Sequence, residues 1–227
     1  AVEEMQAICT HVMEDGKRVE ITEERLAEMK EVNREMNMQG MRVLTIAERI
    51  ISDDELEDFD SDSERDMTLV GFIGFLDPAK ESAAKAINSL QNHGVTVKVL
   101  TGDNAIVAQK VCEDVGIPVD RYCIGSEIDL MDDEELFNTA MEVHLFAKLN
   151  PMQKARIIEL IRKVHTVGFM GDGINDAPSL RAADIGISVD TAADITKDAS
   201  NIILLEKSLQ VLETGVTEGR KVFTNMM

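Results

Sequence analysis

Short apolar runs alternate with amphipathic segments along the chain from residue 69 onward. The runs at 69–76, 95–100, 166–170, 185–189 and 201–206 have the length and β-branched content of buried strands. The segments at 81–93, 104–115 and 152–164 carry apolar residues at helical spacing. Because strands that alternate with helices pair in parallel through right-handed crossovers, we expect an α/β fold with a parallel sheet covered by helices on both faces.

The first third of the chain follows a different pattern. Thr22 can cap a helix that carries apolar residues at helical spacing until Gly40, and a strand is predicted over residues 41–50. Residues 53–66 then hold nine acidic side chains and one basic one. This stretch lacks the central glycine of an EF-hand loop, so we interpret it as a solvated linker rather than a calcium loop. The pattern predicts one domain or part-domain over 1–66 and another over 67–227.

Charge and cysteine content exclude several classes of protein. The formal net charge of −20 argues against a nucleic-acid partner, since phosphate recognition needs a basic surface. No apolar stretch reaches the roughly 18 residues of a membrane-spanning helix, so we expect no direct membrane insertion by this segment. The three cysteines form no CxxC pair and are expected to be free thiols in the core, as in a reducing cytosol.

Three polar clusters follow three of the predicted strands. They read "DPAK" at 77–80, "TGDN" at 101–104 and "GDGIND" at 171–176. Ligands of open parallel sheets bind at the carboxyl ends of the strands. We therefore expect the three clusters to converge on one edge of the sheet.

The second cluster suits a phosphate. Thr101 and Gly102 lie where a strand gives way to a helix, so backbone N–H groups, the positive helix end and a hydroxyl can face one anion. An ordinary capped turn is the alternative interpretation.

The third cluster suits a hard cation. Asp172 and Asp176 are close enough in sequence to share Mg²⁺, which takes one or two carboxylates and completes its octahedron with water and phosphate oxygens. The alternative is an Asx-rich turn in which Asp176 serves as a cap.

Lys154, in the first turn of a predicted helix, is either a surface lysine or a group that neutralises phosphate charge.

In order along the chain, "TGD", Lys154 and "GDGINDAPSLRAADIGIS" resemble the second to fourth motifs of the haloacid dehalogenase superfamily. With "DPAK" ahead of them, the chain resembles the phosphorylation domain of a P-type cation-transporting ATPase. The stretches "GFIGFLDPAKESAAKAI", "VKVLTGDN" and "NIILLEKSLQVLETGVTEGRKVFTNMM" are most similar to the magnesium-importing branch. The resemblance implies a Rossmann-like, haloacid dehalogenase-like sheet, preceded by the C-terminal part of an α+β nucleotide-binding domain.

The resemblance also implies roles for individual residues. Thr101, Lys154 and Asn175 would contact the phosphoryl group, and Asp172 and Asp176 would hold Mg²⁺. Lys80, Gly102 and Asp103 would lie at the ATP. The chain departs from the family at Ala79, where a second proline is usual.

A larger departure is that the family's Asp-Lys-Thr-Gly-Thr motif, which carries the nucleophilic aspartate, does not occur in these residues. The resemblance places that motif and the first sheet strand before Ala1. It implies that this is the cytoplasmic part of an ATP-driven magnesium transporter in the cell membrane, a multi-pass protein whose actuator and membrane domains are its partners. We expect this segment to be inactive by itself, because a two-step phosphoryl transfer needs the aspartate.

Two other functions stay open from sequence. A soluble haloacid dehalogenase-type phosphatase would share these motifs but would need its own nucleophile, for which Asp77 is the candidate after a strand. A non-catalytic module that binds Mg²⁺ or nucleotide needs no nucleophile at all.

Overall fold

The computed structural model describes residues 2–52, 60 and 63–226. It divides the chain into two compact units, Ala1–Asp77 and Pro78–Met227. The division falls later than the predicted boundary between residues 66 and 67, because the strand at 67–76 belongs to the first unit. Most of the stretch interpreted as an acidic linker lies outside the described residues.

The first unit is built around a mixed four-stranded sheet in the order β2-β1-β4-β3 among the described residues. β1 is antiparallel to β2 and parallel to β4, and β3 and β4 are antiparallel. Its elements are α1 Val2–Ile8, β1 Cys9–Glu14, β2 Lys17–Glu20, α2 Glu23–Met38, β3 Met41–Glu48 and β4 Met67–Leu76.

Local chemistry sets the turns and ends of these elements. The Thr22 hydroxyl accepts the Arg25 N–H at 3.3 Å, and Gly40 follows α2 at φ 81°, which confirms the predicted helix and its limits. β3 confirms the predicted strand. The β1–β2 hairpin, which we did not predict, turns on Asp15 and Gly16 at φ 47° and 74°. Asp-Gly is a strong signal for such a turn, since both residues need positive φ.

The prediction that residues 69–76 form a buried strand of the parallel sheet is wrong. β4 pairs antiparallel with β3 over eight residue pairs, with one register shift between Ile46 and Ala47. One face of β4 packs towards α2, where the Met36 Cε would lie 2.6 Å from a Cβ at Gly74. Val70, Ile73 and Phe75 on this strand are exposed. An uninterrupted apolar run therefore does not mean burial on both faces here.

The second unit contains two parallel three-stranded sheets among the described residues, in the orders β5-β7-β6 and β10-β9-β8. Its elements are α3 Glu81–Asn92, β5 Val99–Leu100, α4 Ala105–Asp114, β6 Tyr122–Ile124, α5 Gly125–Ile128, α6 Asp133–Glu142, β7 Leu145–Ala147, α7 Pro151–Ile161, β8 Gly168–Met170, a single 3₁₀ turn Ile174–Asp176, α8 Ala177–Ala182, β9 Ile185–Val189, α9 Asp194–Asp198, β10 Ile202–Leu204 and α10 Leu209–Met226. This α/β unit with parallel strands agrees with the predicted class.

Most predicted elements of the second unit are confirmed with trimmed ends. The strand predicted at 95–100 is the exception, because only Val99 and Leu100 pair with β7, which itself begins at Leu145. The helix α6 was not predicted. Its signal is a capping box in which Asp132 and Glu135 bind each other's backbone N–H groups.

The core of the second unit lies between β7 and three helices, of which α5 and α6 precede β7 and α7 follows it. Ile128, Leu136, Phe146 and Ile157 have no exposed surface. A second cluster joins the two sheets, because Leu100 of β5 and Phe169 of β8 both pack against Ala155 and Ile158 of α7. The last residue of β5 and the middle residue of β8 thus both pack against the cluster that includes α7.

The three cysteines are free and buried, as predicted. Burial raises the pKa of both Cys112 and Cys123 to about 11, so these thiols stay protonated at neutral pH. Among the helices that the structure describes, none is long and apolar enough to cross a membrane.

Candidate functional site

The loop after β5 is held against the loop after β7 by backbone hydrogen bonds. The Thr101 N–H donates to the Phe146 carbonyl at 2.9 Å and the Leu149 N–H donates to the Thr101 carbonyl at 3.0 Å. The Lys148 N–H donates to the Asp103 carbonyl at 2.9 Å. Thr101 is therefore fixed beside the segment that leads into α7.

The polar groups of this first loop also stabilise the start of α4. The Thr101 hydroxyl accepts the Asp103 N–H at 3.0 Å, and the Asn104 side chain accepts the Ile106 N–H at 2.9 Å. The capped turn that we kept as the alternative is thus present. The same loop can present the Thr101 hydroxyl and the α4 N-terminus to an anion, since capping and anion binding use neighbouring groups.

Lys154 is positioned by a well-capped helix. Asn150 accepts the Gln153 N–H at 2.9 Å and Gln153 accepts the Asn150 N–H at 2.9 Å, with Pro151 at the first helical position. This capping box fixes the first turn of α7. The Lys154 side chain is only 12% exposed, and its Nζ lies 2.9 Å from Asp176 Oδ1.

The loop after β8 folds around the Asp176 carboxylate. Asp176 Oδ2 accepts the Gly173 N–H at 3.3 Å while Oδ1 accepts from Lys154. A Cβ at Gly171 would lie 2.6 Å from the Asp176 Cβ, so only glycine fits at that position. Asp176 therefore also stabilises the turn, as the alternative interpretation proposed.

Asp172 carries the second carboxylate of the loop. Its Oδ2 lies 2.6 Å from the Lys207 Nζ, and both side chains are about half exposed, at 52% and 58%. Lys207 belongs to the segment between β10 and α10. Each of the two aspartates that we predicted as metal ligands thus holds a lysine ammonium.

The oxygen groups of this loop fit a hard divalent cation. Within the described ranges, no group of three or more His, Cys, Asp or Glu side chains is arranged as a metal site. Two carboxylates on one loop, both already attracting cationic groups, match the one or two carboxylates that Mg²⁺ takes. Asp172 and Asp176 could hold such an ion together with water or phosphate oxygens.

Contacts join only some of the predicted site residues. Lys154 forms an ion pair with Asp176, whereas Asp172 pairs with Lys207. Thr101, Gly102 and Asp103 lie in the loop that is hydrogen-bonded to the segment leading into α7, with Gly102 against the Leu149 carbonyl. Asn175 is exposed in the 3₁₀ turn. Lys80 is exposed at the start of α3, and among the described residues no ion pair or side-chain hydrogen bond joins it to the two aspartates. The role of Lys80 at the ATP therefore stays a prediction.

Sequence reasoning missed two residues that contact the loop at 171–176, which we call the metal loop because it carries both predicted metal ligands. Thr196 of α9 has no exposed surface, and its hydroxyl donates to the Gly173 carbonyl at 3.0 Å. Lys207 pairs with Asp172, 35 residues away in sequence. Neither residue received a role from the sequence, although Lys207 lies in one of the stretches that carry the resemblance; the packing of α9 and α10 beside β9 and β10 brings both to the loop.

Comparison with known proteins gives consistent matches. Residues 1–82 match the family model described as "P-type ATPase, cytoplasmic domain N". Over its whole length the chain is 50% identical to a magnesium-transporting ATPase, P-type 1, of Escherichia coli K12, and 49% identical to one of Salmonella typhimurium. It is 34% identical, over 98% of its length, to a calcium-transporting ATPase of Listeria monocytogenes. The chain spans 25% of the length of the magnesium-transporting relatives, so it is similar throughout to about a quarter of a P-type ATPase.

Proposed function

We propose that this chain belongs to the P-type ATPases and is part of the cytoplasmic region of an ATP-driven magnesium transporter. In the intact protein it would take part in Mg²⁺-dependent ATP hydrolysis through an aspartyl-phosphate intermediate. The observation that carries the proposal is the ion pair of Lys154 with Asp176, in a chain that is 50% identical to transporters of that name. The choice of magnesium rests on the relatives, because ion selectivity would reside in membrane helices.

The site residues take distinct roles in this proposal. Asp172 and Asp176 would hold Mg²⁺, which when bound supplies charge neutralisation for the phosphoryl group. Lys154, Thr101 and Asn175 would contact the phosphoryl oxygens, with Lys154 held in place by its helix and by Asp176. Lys80, Gly102 and Asp103 would lie at the ATP. Positioning and charge stabilisation are the main requirements of phosphoryl transfer.

The two units would correspond to two domains. The family match to residues 1–82 supports the first unit as part of a nucleotide-binding domain. The second unit would be a phosphorylation domain of the haloacid dehalogenase-like type. Among the described residues β5 and β8 are both sheet edges, and both pack against α7. A further strand from outside these residues, carrying the Asp-Lys-Thr-Gly-Thr nucleophile, would join the two half-sheets.

The remaining parts of the transporter would be the partners of this segment. The actuator and membrane domains would complete a multi-pass protein of the cell membrane, with these residues on its cytoplasmic side. Support comes from the exposed apolar residues of the β3–β4 face, including Leu44, Ile73 and Phe75. Apolar patches of this kind mark surfaces that another segment covers.

Phosphorylation of the intact protein tests the proposal. With ATP labelled at the γ-phosphate, we expect Mg²⁺-dependent incorporation of label that hydroxylamine removes, as for an acyl phosphate. Asp172→Asn and Lys154→Ala should each lower the rate of incorporation by at least about 100-fold, since the first removes a carboxylate that would hold Mg²⁺ and the second removes a positive charge beside the transferring group. Asp114→Asn is the control, because Asp114 also pairs with a lysine at 2.6 Å but lies at the far end of α4.

Two results would contradict the proposal. One is a complete reading frame with no Asp-Lys-Thr-Gly-Thr motif before Ala1. The other is steady phosphatase turnover by the 227-residue chain that Asp77→Asn abolishes, which would favour the soluble phosphatase. Asp77 is exposed and follows β4 of the mixed sheet, whereas Thr101 and Gly171 follow strands of the parallel sheets. This placement argues against Asp77 as the nucleophile.

A further inference from the structure

The two lysine–aspartate pairs of the metal loop differ in how firmly they are held. Lys154 and Asp176 are 12% and 15% exposed, whereas Lys207 and Asp172 are 58% and 52% exposed. Exposed pairs are weak because water screens the charges and because two flexible side chains must be held in one geometry. The Lys154 pair is therefore a fixed part of the loop, and the Lys207 pair is readily exchanged.

The Lys207 ammonium contacts one of the two carboxylate oxygens of Asp172. At 2.6 Å the Lys207 ammonium is in direct contact with Oδ2, the kind of oxygen that a divalent cation needs. A divalent cation that coordinates this carboxylate while the ammonium lies against Oδ2 has a second positive charge within a few ångströms of it. Binding of Mg²⁺ at Asp172 therefore has to displace Lys207 or accept the repulsion of its charge.

Lys207 is placed so that displacement is easy. It lies in the segment between β10, which ends at Leu204, and α10, which begins at Leu209. Its neighbours Leu205 and Glu206 are exposed as well. The ammonium can swing into solvent without disturbing a buried group.

We propose that Lys207 is an internal competitor for the divalent cation at Asp172. Its ammonium neutralises the carboxylate when the metal is absent and is released when the metal binds. Lys207 thereby lowers the apparent affinity of the site for Mg²⁺ and raises the concentration at which the site fills. The inference rests on the proposed metal site and adds a residue that sets its occupancy.

Calorimetric titration of the 227-residue chain with Mg²⁺, repeated with Mn²⁺ and paramagnetic relaxation, tests this role. Lys207→Gln is expected to tighten binding about two- to five-fold, the range that corresponds to an exposed ion pair. Lys207→Arg keeps the charge and should stay at the wild-type value. Lys221→Gln is the matched control, because Lys221 forms an equally short and equally exposed pair with Glu218 and its loss changes the net charge by the same amount.

A double-mutant cycle separates direct competition from a general field effect. In an Asp172→Asn background, Lys207→Gln should no longer alter the affinity, since the group for which it competes is gone. Hydrogen exchange gives a second readout: residues 205–208 of the wild type saturated with Mg²⁺ should exchange as they do in metal-free Lys207→Gln.

The outcomes distinguish this inference from the proposed metal site. The competitor role is wrong if Lys207→Gln and Lys221→Gln bind Mg²⁺ with equal affinity. It is also wrong if Lys207→Gln still alters the affinity in the Asp172→Asn background. In both cases the proposed metal site itself stands. If no variant shows Mg²⁺ binding that Asp172→Asn weakens, both the metal site and the competitor role are wrong.

Discussion

The two units of the chain bury their apolar residues to different extents. In the second unit all three residues of β7 are buried, with Leu145, Phe146 and Ala147 at 0% exposure. In the first unit β4 leaves Phe75 51% exposed, although seven of its ten residues are large and apolar. The second unit encloses its own core, whereas the sheet of the first unit has one covered and one open face.

The difference lies in what covers each strand. β7 is paired on both sides, by β5 and β6, and the hydrophobic cluster around Phe146 includes residues of α6 and α7. β4 is paired on both sides too, but its described cover comes from the side of α2, where Met29 and Leu69 are buried together. An apolar sequence allows a strand to be buried, but the strand is buried only where another layer of the fold covers it.

The largest expected effect comes from the core of the second unit. Phe146→Ala removes a side chain with no exposed surface and should lower the free energy of unfolding by about 3–5 kcal/mol. Urea unfolding followed by tyrosine fluorescence measures this unit alone, because Tyr122 of β6 is the chain's one tyrosine and there is no tryptophan. Far-ultraviolet circular dichroism reports on both units.

The two signals decide whether the units are energetically distinct. We expect Phe146→Ala to shift the fluorescence transition and to split the circular dichroism transition into two steps. A single coincident transition at lower urea, seen by both probes, would show that the first unit depends on the second for its stability and would remove the contrast between them.

The contrast also explains which parts of the fold could be predicted. Helices such as α2 and α7 follow from local signals, apolar spacing and caps at Thr22 and Asn150, that do not depend on the rest of the molecule. The sheet to which residues 67–76 belong could not be predicted, because pairing with β3 and β1 depends on distant residues. The Asp15-Gly16 turn and the Asp132 capping box were local signals that could have been used.

The candidate site divides in the same way. Asp172, Asp176 and Thr101 could be predicted because each belongs to a short polar cluster that follows a strand. Thr196 and Lys207 could not, since they reach the loop only through the packing of elements far along the chain. Lys154 is intermediate: its helix is evident from sequence, but its pairing with Asp176 is a tertiary contact.

A smaller effect concerns one carboxylate in each unit that is held by an arginine. The Arg25 guanidinium hydrogen-bonds to Glu14 at 2.6 and 2.7 Å and lowers the pKa of that carboxyl. The pKa of Asp184 is lowered first by the Val167 N–H and then by Arg162. Because both are lowered, each contributes stability at pH values above its unfolded pKa of about 4, and the contribution is lost as the pH falls through the folded value.

Removing the arginines separates the two cases. In Arg25→Gln we expect the Glu14 pKa to rise back to its ordinary range, because the Arg25 side chain is the main group that stabilises the Glu14 carboxylate. In Arg162→Gln we expect the Asp184 pKa to rise only in part, because the Val167 N–H next to β8 remains. Carbon-detected NMR titration of the carboxyl groups measures both; a complete return for Asp184 would show that the backbone contact is not made in solution.

The smallest expected effect tests the open face directly. Phe75 and Phe72 lie three residues apart on β4 and so point to opposite faces, with Phe72 packed against the cluster of Met29 and Leu69 and Phe75 exposed. Phe75→Asn should change the free energy of unfolding of the first unit by no more than about 0.5 kcal/mol, as for an exposed surface position. Phe72→Asn should destabilise the first unit by about 2 kcal/mol or more, because the substitution places an amide in the covered face.

Urea unfolding followed by circular dichroism measures both changes, and binding of an apolar dye should fall in Phe75→Asn alone. If the two substitutions cost the same, the β3–β4 face is covered in solution and the first unit encloses its core as the second one does.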